Sequence, residues 1–297
     1  MRERPNLVPP AVAAVMEPPL DYRDILVHVD TTPAGEARLG LGIVLAQRFN
    51  AHLTGIHIVP EAEVPPTYKP SAVERVAEVY AETARAAAAT TEALFHDRVR
   101  GLTLATDYRT MQGDIADRLR QASRFVDLVV IGQADTENPA GLDPFVLSER
   151  VVFGSAAPML VVPILFRAPE IGRSVLVGWD GSGEAARAIR DALPFLRRAS
   201  RVTVVAVDPD RQGHLPGGAD TNAMVTHLAR HAVNAVADVI HSGERHAAEV
   251  LLSRAADVDA DTIVMGAYGH LRVREFLLGG TTPDILEHTS IPVLVSR

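Results

Sequence analysis

The chain contains no cysteine. Disulfides, thiol nucleophiles and cysteine zinc sites are therefore excluded, and a reducing compartment, the cytoplasm, is the expected setting. Lysine is almost absent too. Lys69 is the only one, it lies among prolines, and no GxxxxGK[ST] pattern surrounds it, which excludes the lysine-bearing phosphate loop. No apolar run approaches the about 18 to 20 residues of a bilayer span, so no membrane partner is expected. The apolar patch at 8–16 is broken by Pro9 and Pro10, which argues against a signal peptide. Cations are in deficit, 29 against 37 acidic residues, and a net charge of −8 argues against nucleic acid as the main partner.

What is present is enough apolar material for a sizeable core: 47% of 297 residues, a length that suggests two domains. Residues 1–21 are proline-rich and aperiodic, and are read as a mobile arm. Beyond them, strands alternate with helices. Strands are expected at 25–29, 52–59, 102–108, 127–131 and 159–162. Helices are expected at 34–49, from Ser71 for about 25 residues with Ser71 and Glu74 as a capping box, from about Asp114, and at 145–153. The second half repeats the plan with strands at 174–178, 201–207, 235–240, 262–265 and 292–296 and helices at 184–196, 221–231, 247–256 and 282–288. This order implies right-handed crossovers and parallel sheets. VHVDTTPAGEARLG matches VGWDGSGEAARAIR, VDLVVIG matches DADTIVMG, and SAAPMLVVP matches TSIPVLVS, setting Asp30 over Asp180, Gly132 over Gly266 and Pro158 over Pro292. The chain is a duplication, with halves at 22–165 and 172–297.

The most suggestive stretch is DTIVMGAYGHLRVREFLLGGTT at 261–282. An apolar strand runs into Gly266, two residues lead to Gly269, nine more to Gly279 and Gly280, and Thr281, Thr282 and Pro283 open a helix. Glycines let main-chain amides converge on an anion, and a helix start adds unpaired donors, so this outlines a phosphate cradle. The duller reading is that the glycines only punctuate a loop.

The glycine spacing, the strand ending in Asp180 and the element order resemble a tandem universal stress protein. The resemblance implies two Rossmann-like (adenine nucleotide alpha hydrolase-like) α/β domains, each an open five-stranded parallel sheet of order 3-2-1-4-5 with helices on both faces. It also implies ATP or a related adenine nucleotide held at the carboxyl ends of the strands, where doubly wound sheets bind ligands. By the same resemblance, Asp180 and the strand end at Val207 contact adenosine, and Met265 is a further nucleotide-binding position. The phosphates lie on Gly266, Gly269, Gly279 and Gly280, Thr281 and Thr282 donate hydroxyls, and Mg2+ rides on the phosphates. His270, Arg272 or Arg274 would supply compensating charge. The family pairs domains through the last strand, so 159–162 and 292–296 are expected to meet within the chain, leaving other surfaces for a homodimer and for a protein partner in the stress response.

Two departures stand out. Gly280 precedes the first threonine, where the family has Ser or Thr directly after the third glycine. In the first half, 21 residues separate Gly132 from Gly154, against 12 between Gly266 and Gly279, and Asp135, Glu137 and Asp143 add negative charge. The first half is therefore expected to be a degenerate site. Asp180 also has a bland reading, as a cap for the helix that follows, and Trp179 one as core packing. Gly181, Gly183 and Ala186 match GxGxxA with Asp208 beyond, but Asp180 would repel a pyrophosphate there. His227 and His231 have metal spacing without a nearby acidic partner. His28, His57 and His241 are read as solvent-facing or satisfied strand residues. No nucleophile elbow or general base can be placed, so slow ATP hydrolysis ranks below two alternatives: nucleotide binding and a ligand-free interaction module.

Overall fold

A computed structural model describes residues 21–60, 70–135, 150–209, 214–215, 219–267 and 280–297. The arm before residue 21, the loop at 61–69, residues 145–149 of the helix expected at 145–153, and Gly269 and Gly279 lie outside the described residues.

In the first half the strands are β1 (Asp24–His28), β2 (His52–Val59), β3 (Thr106–Gln112), β4 (Leu128–Gly132) and β5 (Met159–Val162), with helices α1 (Pro33–Phe49), α2 (Pro70–Val99) and α3 (Ile115–Ala122). The second half has β6 (Ser174–Gly178), β7 (Arg201–Val207), a two-residue ribbon of β8 (His214–Leu215) and β9 (Ala219–Asp220), β10 (Ala235–Ile240), β11 (Thr262–Gly266) and β12 (Val293–Ser296). Its helices are α4 (Gly183–Asp191), α5 (Leu193–Leu196), α6 (Thr221–Arg230), α7 (Ala247–Asp257) and α8 (Thr281–His288). The main sheet has ten strands, β10-β7-β6-β11-β12-β5-β4-β1-β2-β3. Each half thus has the order 3-2-1-4-5, all parallel, and the halves join where β12 runs antiparallel to β5 with Leu294 opposite Leu160. The strand pairing within the chain expected from the resemblance is present.

Duplication is visible in individual main-chain bonds. Asp127 N–H donates to Asp24 C=O at 2.8 Å and Asp261 N–H to Ser174 C=O at 2.8 Å. Val29 donates to Ile56 at 2.8 Å and Trp179 to Val205 at 2.9 Å. Gln133 donates to Val162 and Ala267 to Ser296, both at 2.8 Å. Asp127 and Asp261 also do the same job before their strands. The carboxylate of Asp127 accepts from the amides of Arg23 and Asp24, and that of Asp261 from Gly172, Arg173 and Ser174, tying the start of the first strand of each half to its fourth.

Central strands are buried on both faces, as continuous apolar runs such as Leu128–Gly132 require. They separate two apolar layers. One contains Leu39, Phe49, Trp179, Ile189 and Phe195, the other Ile131, Met159, Met265, Ile285 and Val293. The first layer spans the seam: Tyr22, Phe49 and Phe195 meet edge to face with centroids 5.0 to 5.7 Å apart, and Tyr22 OH donates to Asp191 C=O at 2.7 Å. Asp21, placed in the mobile arm by sequence, is instead held by a two-pronged pair with Arg198 at 2.6 and 2.8 Å.

Local chemistry sets the helix ends. Thr32 Oγ1 accepts from Gly35 N–H at 2.9 Å with Pro33 at the first turn, and Asn50 closes α1 in the left-handed conformation at φ 51°. Three expectations need correction. The third strand begins at Thr106 rather than 102, because this edge strand is exposed on alternate residues and its signal, Thr106-Tyr108-Thr110, is weaker than the apolar Leu102 and Leu104 of the preceding turn. The helix expected at 184–196 breaks at Ala192, since Pro194 lacks an amide and its ring would meet the carbonyl of Arg190. Ser71 is already inside α2, which starts at Pro70, so it is not the cap.

Candidate functional site

In each half the strand order reverses between the first and fourth strands, β1 and β4 or β6 and β11, leaving a mouth at their carboxyl ends. The two mouths are built differently.

In the second half, β6 delivers Trp179 and Asp180. Trp179 is buried in the first apolar layer, its indole N–H without a hydrogen-bond partner among the described residues, while Asp180 is exposed. Asp180 Oδ1 accepts from Ser182 N–H at 2.9 Å, and Ser182 Oγ caps α4 by accepting from Ala185 N–H at 3.0 Å. The cap is therefore Ser182, and Asp180 shapes the turn before it with Gly181 at φ 79°. The other oxygen of Asp180 has no hydrogen bond among the described residues. Val207 ends β7 beside it, and Met265 and Gly266 end β11. A methyl at Gly266 would stand 2.6 Å from Glu184 C and 2.9 Å from Ala185 Cα, so the backbone of the first turn of α4 lies directly on this glycine. Gly266 is required for packing whatever it contacts above. Ala267 N–H is already paired with Ser296. Gly280 stands at the N-cap of α8 with no side-chain cap among the described residues, followed by half-buried Thr281 and buried Thr282. Ile285 and Leu286 anchor α8 in the apolar layer that holds Met265. The structure thus sets Asp180, Val207, Met265 and Gly266 at the ends of three adjacent strands, and Gly280, Thr281 and Thr282 at the start of α8. Gly269 and Gly279, and with them His270, Arg272 and Arg274, are outside the described residues.

In the first half, Arg38 projects from α1 into the mouth. Its side chain is 3% exposed, Nε donates to His28 C=O at 2.7 Å and Nη2 to Asp30 Oδ2 at 2.6 Å. Asp30 Oδ1 accepts from Thr32 N–H at 2.9 Å and Thr32 Oγ1 at 2.5 Å. Burial opposes the charge on Asp30, but Arg38 and the Thr32 hydroxyl outweigh it and hold the carboxyl at about 2. His28 is pushed down to about 3 by burial first and by Arg38 second, and its buried Nδ1 has no hydrogen bond among the described residues. A methyl at Gly132 would overlap Arg38 Nη1. The guanidinium therefore fills the crevice between β1 and β4. Asp30 is tucked over Gly35, where a methyl would lie 2.8 Å from its Cγ; the matching residue in the second half is Ala185, and there the aspartate is exposed.

Sequence reasoning missed Arg38. The signal was available: a single cation among Gly35, Leu39 and Gly42 on the buried face of α1. Among the other candidates, His28 and His57 are buried strand residues, with His57 Nδ1 3.0 Å from Val29 C=O, and His241 is exposed. The carboxylate of Asp208 is taken by the amide and hydroxyl of Ser242, which removes it as a ribose ligand. The rings of His227 and His231 are 4.7 Å apart, and Arg197 Nη2 lies 3.5 Å from His231 Nδ1, a cation where a metal would sit.

The family model described as "Universal stress protein family" matches residues 21–163 and 172–297. A universal stress protein from Synechocystis is 27% identical over 229 residues, 70% of this chain and 75% of that protein. Among solved structures, a universal stress protein from Archaeoglobus fulgidus superposes with a TM-score of 0.63 at 17% identity, covering 92% of this chain and 96% of that one. A putative universal stress protein from Pseudomonas aeruginosa gives 0.56 at 17% identity, covering 93% of each.

Proposed function

The chain belongs to the universal stress protein family, and from that premise we propose that it binds one adenine nucleotide, in the second half, and that Arg38 closes the first. The observation that supports this most is the contrast between the mouths: a buried guanidinium bonded to Asp30 and His28 in one, an exposed Asp180 with a spare carboxylate oxygen in the other. Asp180 with the ends of β7 and β11 at Val207 and Met265 would take adenosine. Gly280, Thr281 and Thr282 at the start of α8, with Gly266, Gly269 and Gly279, would take the phosphates, because an eight-residue helix without a side-chain cap among the described residues offers amides and a partial positive charge there. Mg2+ would neutralise the phosphates. The role is ligand-dependent stabilisation and partner switching: a ligand at a thousandfold over its dissociation constant that binds only the folded chain adds about 4 kcal/mol. A homodimer through surfaces other than the β5–β12 seam belongs to the same reading.

ATP titration followed by calorimetry, thermal shift and the fluorescence of Trp179 tests it. One site per chain is expected, with Asp180→Ala weakening binding about tenfold while folding is retained. Two equal sites contradict the assignment to one half. A flat melting curve with silent fluorescence would leave a ligand-free pairing module instead.

A further inference from the structure

A cleft of about 540 Å3 lies at the seam between the halves, lined by Glu184, Arg187 and Arg190 of α4, Arg297 after β12, and Phe153 and Ser155 before β5. Three arginines against one glutamate make it a basic spot on a chain of net charge −8. Their states differ. Arg187 is paired with Asp191 at 3.0 Å. Arg297 lies over the Phe153 ring, guanidinium carbon 3.5 Å from its centroid, and Nη1 donates to Phe153 C=O at 3.3 Å, which holds the fork in place. Arg190 is exposed and makes no side-chain hydrogen bond or ion pair among the described residues.

The internal duplication supplies a control. Positions 187, 190 and 297 correspond to Ala37, Gly40 and Pro163. At that matching seam, Gln133 instead donates to Leu286 C=O at 3.0 Å and Glu287 C=O at 2.8 Å while its own oxygen accepts from Ile164 N–H. The halves therefore join on that side without any of these cations. Three arginines in an open polar cleft, at least one of them unengaged, match the fork geometry of phosphate oxygens, and the volume suits a small molecule.

We propose that this seam cleft binds a small phosphate-bearing polyanion through Arg190 and Arg297, with Arg187 as the third cation, separately from the nucleotide mouth. The proposal does not depend on the nucleotide reading, since the two sites use different side chains.

Inorganic pyrophosphate, titrated calorimetrically into the full chain at low ionic strength, is the probe. Binding is expected to weaken steeply with salt. Arg190→Ala is expected to weaken it at least about tenfold with an unchanged melting temperature, since that side chain has no described partner, and to leave ATP binding unaltered. Absence of pyrophosphate binding to the wild type, or equal binding to Arg190→Ala, overturns the proposal. So does a parallel loss of pyrophosphate and ATP in Arg190→Ala, which would make the cleft part of the nucleotide's own phosphate region.

Discussion

The two mouths began as one design and have diverged in which group occupies the crevice. In the first half, Arg38 is inserted between β1 and β4, and Asp30, His28 and Gly35 have closed around it. In the second half, Ala188 stands at the Arg38 position, and α4 has settled onto Gly266 through its own backbone. A long buried cation and a small residue at one helix position thus give either a crevice filled by a guanidinium or one on which the helix backbone itself rests, on the same strand order. The difference should be measurable residue against residue.

The largest effect is expected at Arg38. Arg38→Ala leaves the Asp30 carboxylate, 17% exposed, without its partner, a loss of about 4 kcal/mol. Asp180→Ala breaks only an exposed turn bond and should cost under about 1 kcal/mol. The double variant Asp30→Ala with Arg38→Ala should lose clearly less than the sum of its parts, because neither charge is then stranded. Urea unfolding of wild type, Asp30→Ala, Arg38→Ala, the double variant and Asp180→Ala decides this; additive losses of Asp30→Ala and Arg38→Ala would mean that Arg38 acts through packing alone.

The glycines at the fourth strands sharpen the contrast. Gly266→Ala pushes on the main chain of Glu184 and Ala185, which cannot yield without lifting α4, and about 3 kcal/mol is expected. Gly132→Ala meets only the far end of the Arg38 side chain, and about 1 kcal/mol should suffice. Equal losses in thermal unfolding would show that the two crevices are packed alike.

How legible was this in the sequence? Five strands, β2, β5, β6, β7 and β10, could be placed to the residue and β1 and β4 within one, because runs such as Leu128–Gly132 and Arg201–Val207 are largely apolar and end at Gly or before Asp. The edge strand β3 was misplaced, because exposure on alternate residues leaves it no such run. At the site, the positions of Asp180 and Gly266 at strand ends were readable, but the role of Gly266 against α4 was not, since spacing reports where a glycine is and not which face of it is covered. Arg38 could be read only as a lone cation on the buried face of α1; its role could not, because its partners His28, Asp30 and Gly132 come from different segments that only the fold brings together.

Acid should act on the first mouth before the second. Unfolded, His28 takes a proton near its ordinary 6.5; folded, burial and Arg38 delay this to about 3. Between those values the unfolded chain binds more protons, so His28 destabilises the fold as pH falls, by about 1.4 kcal/mol per unit and about 2 kcal/mol by pH 5. Asp30 adds a second loss. Its stabilisation is complete above the ordinary 3.8 and disappears as pH falls through about 2. His28→Gln should flatten the stability profile between pH 6.5 and 5 relative to wild type, whereas parallel profiles would place the titrating group elsewhere. The corresponding position in the second half is Gly178, which has nothing to titrate.

A small effect is expected at the seam, where Gln133 and the arginine cleft occupy matching places. Gln133 is held on both sides, its amide nitrogen on the last carbonyls of α8 and its oxygen on Ile164 N–H at 3.1 Å. Those carbonyls have no further partner within α8, so the side chain substitutes for the next helical turn. Removing it should cost about 1 kcal/mol, the net worth of such bonds, while β5–β12 pairing and the Tyr22–Phe49–Phe195 contact keep the halves joined. Gln133→Ala should therefore lower the unfolding midpoint slightly and leave a single cooperative transition. Two separated transitions would mean that this one side chain, rather than the strand pair, couples the halves.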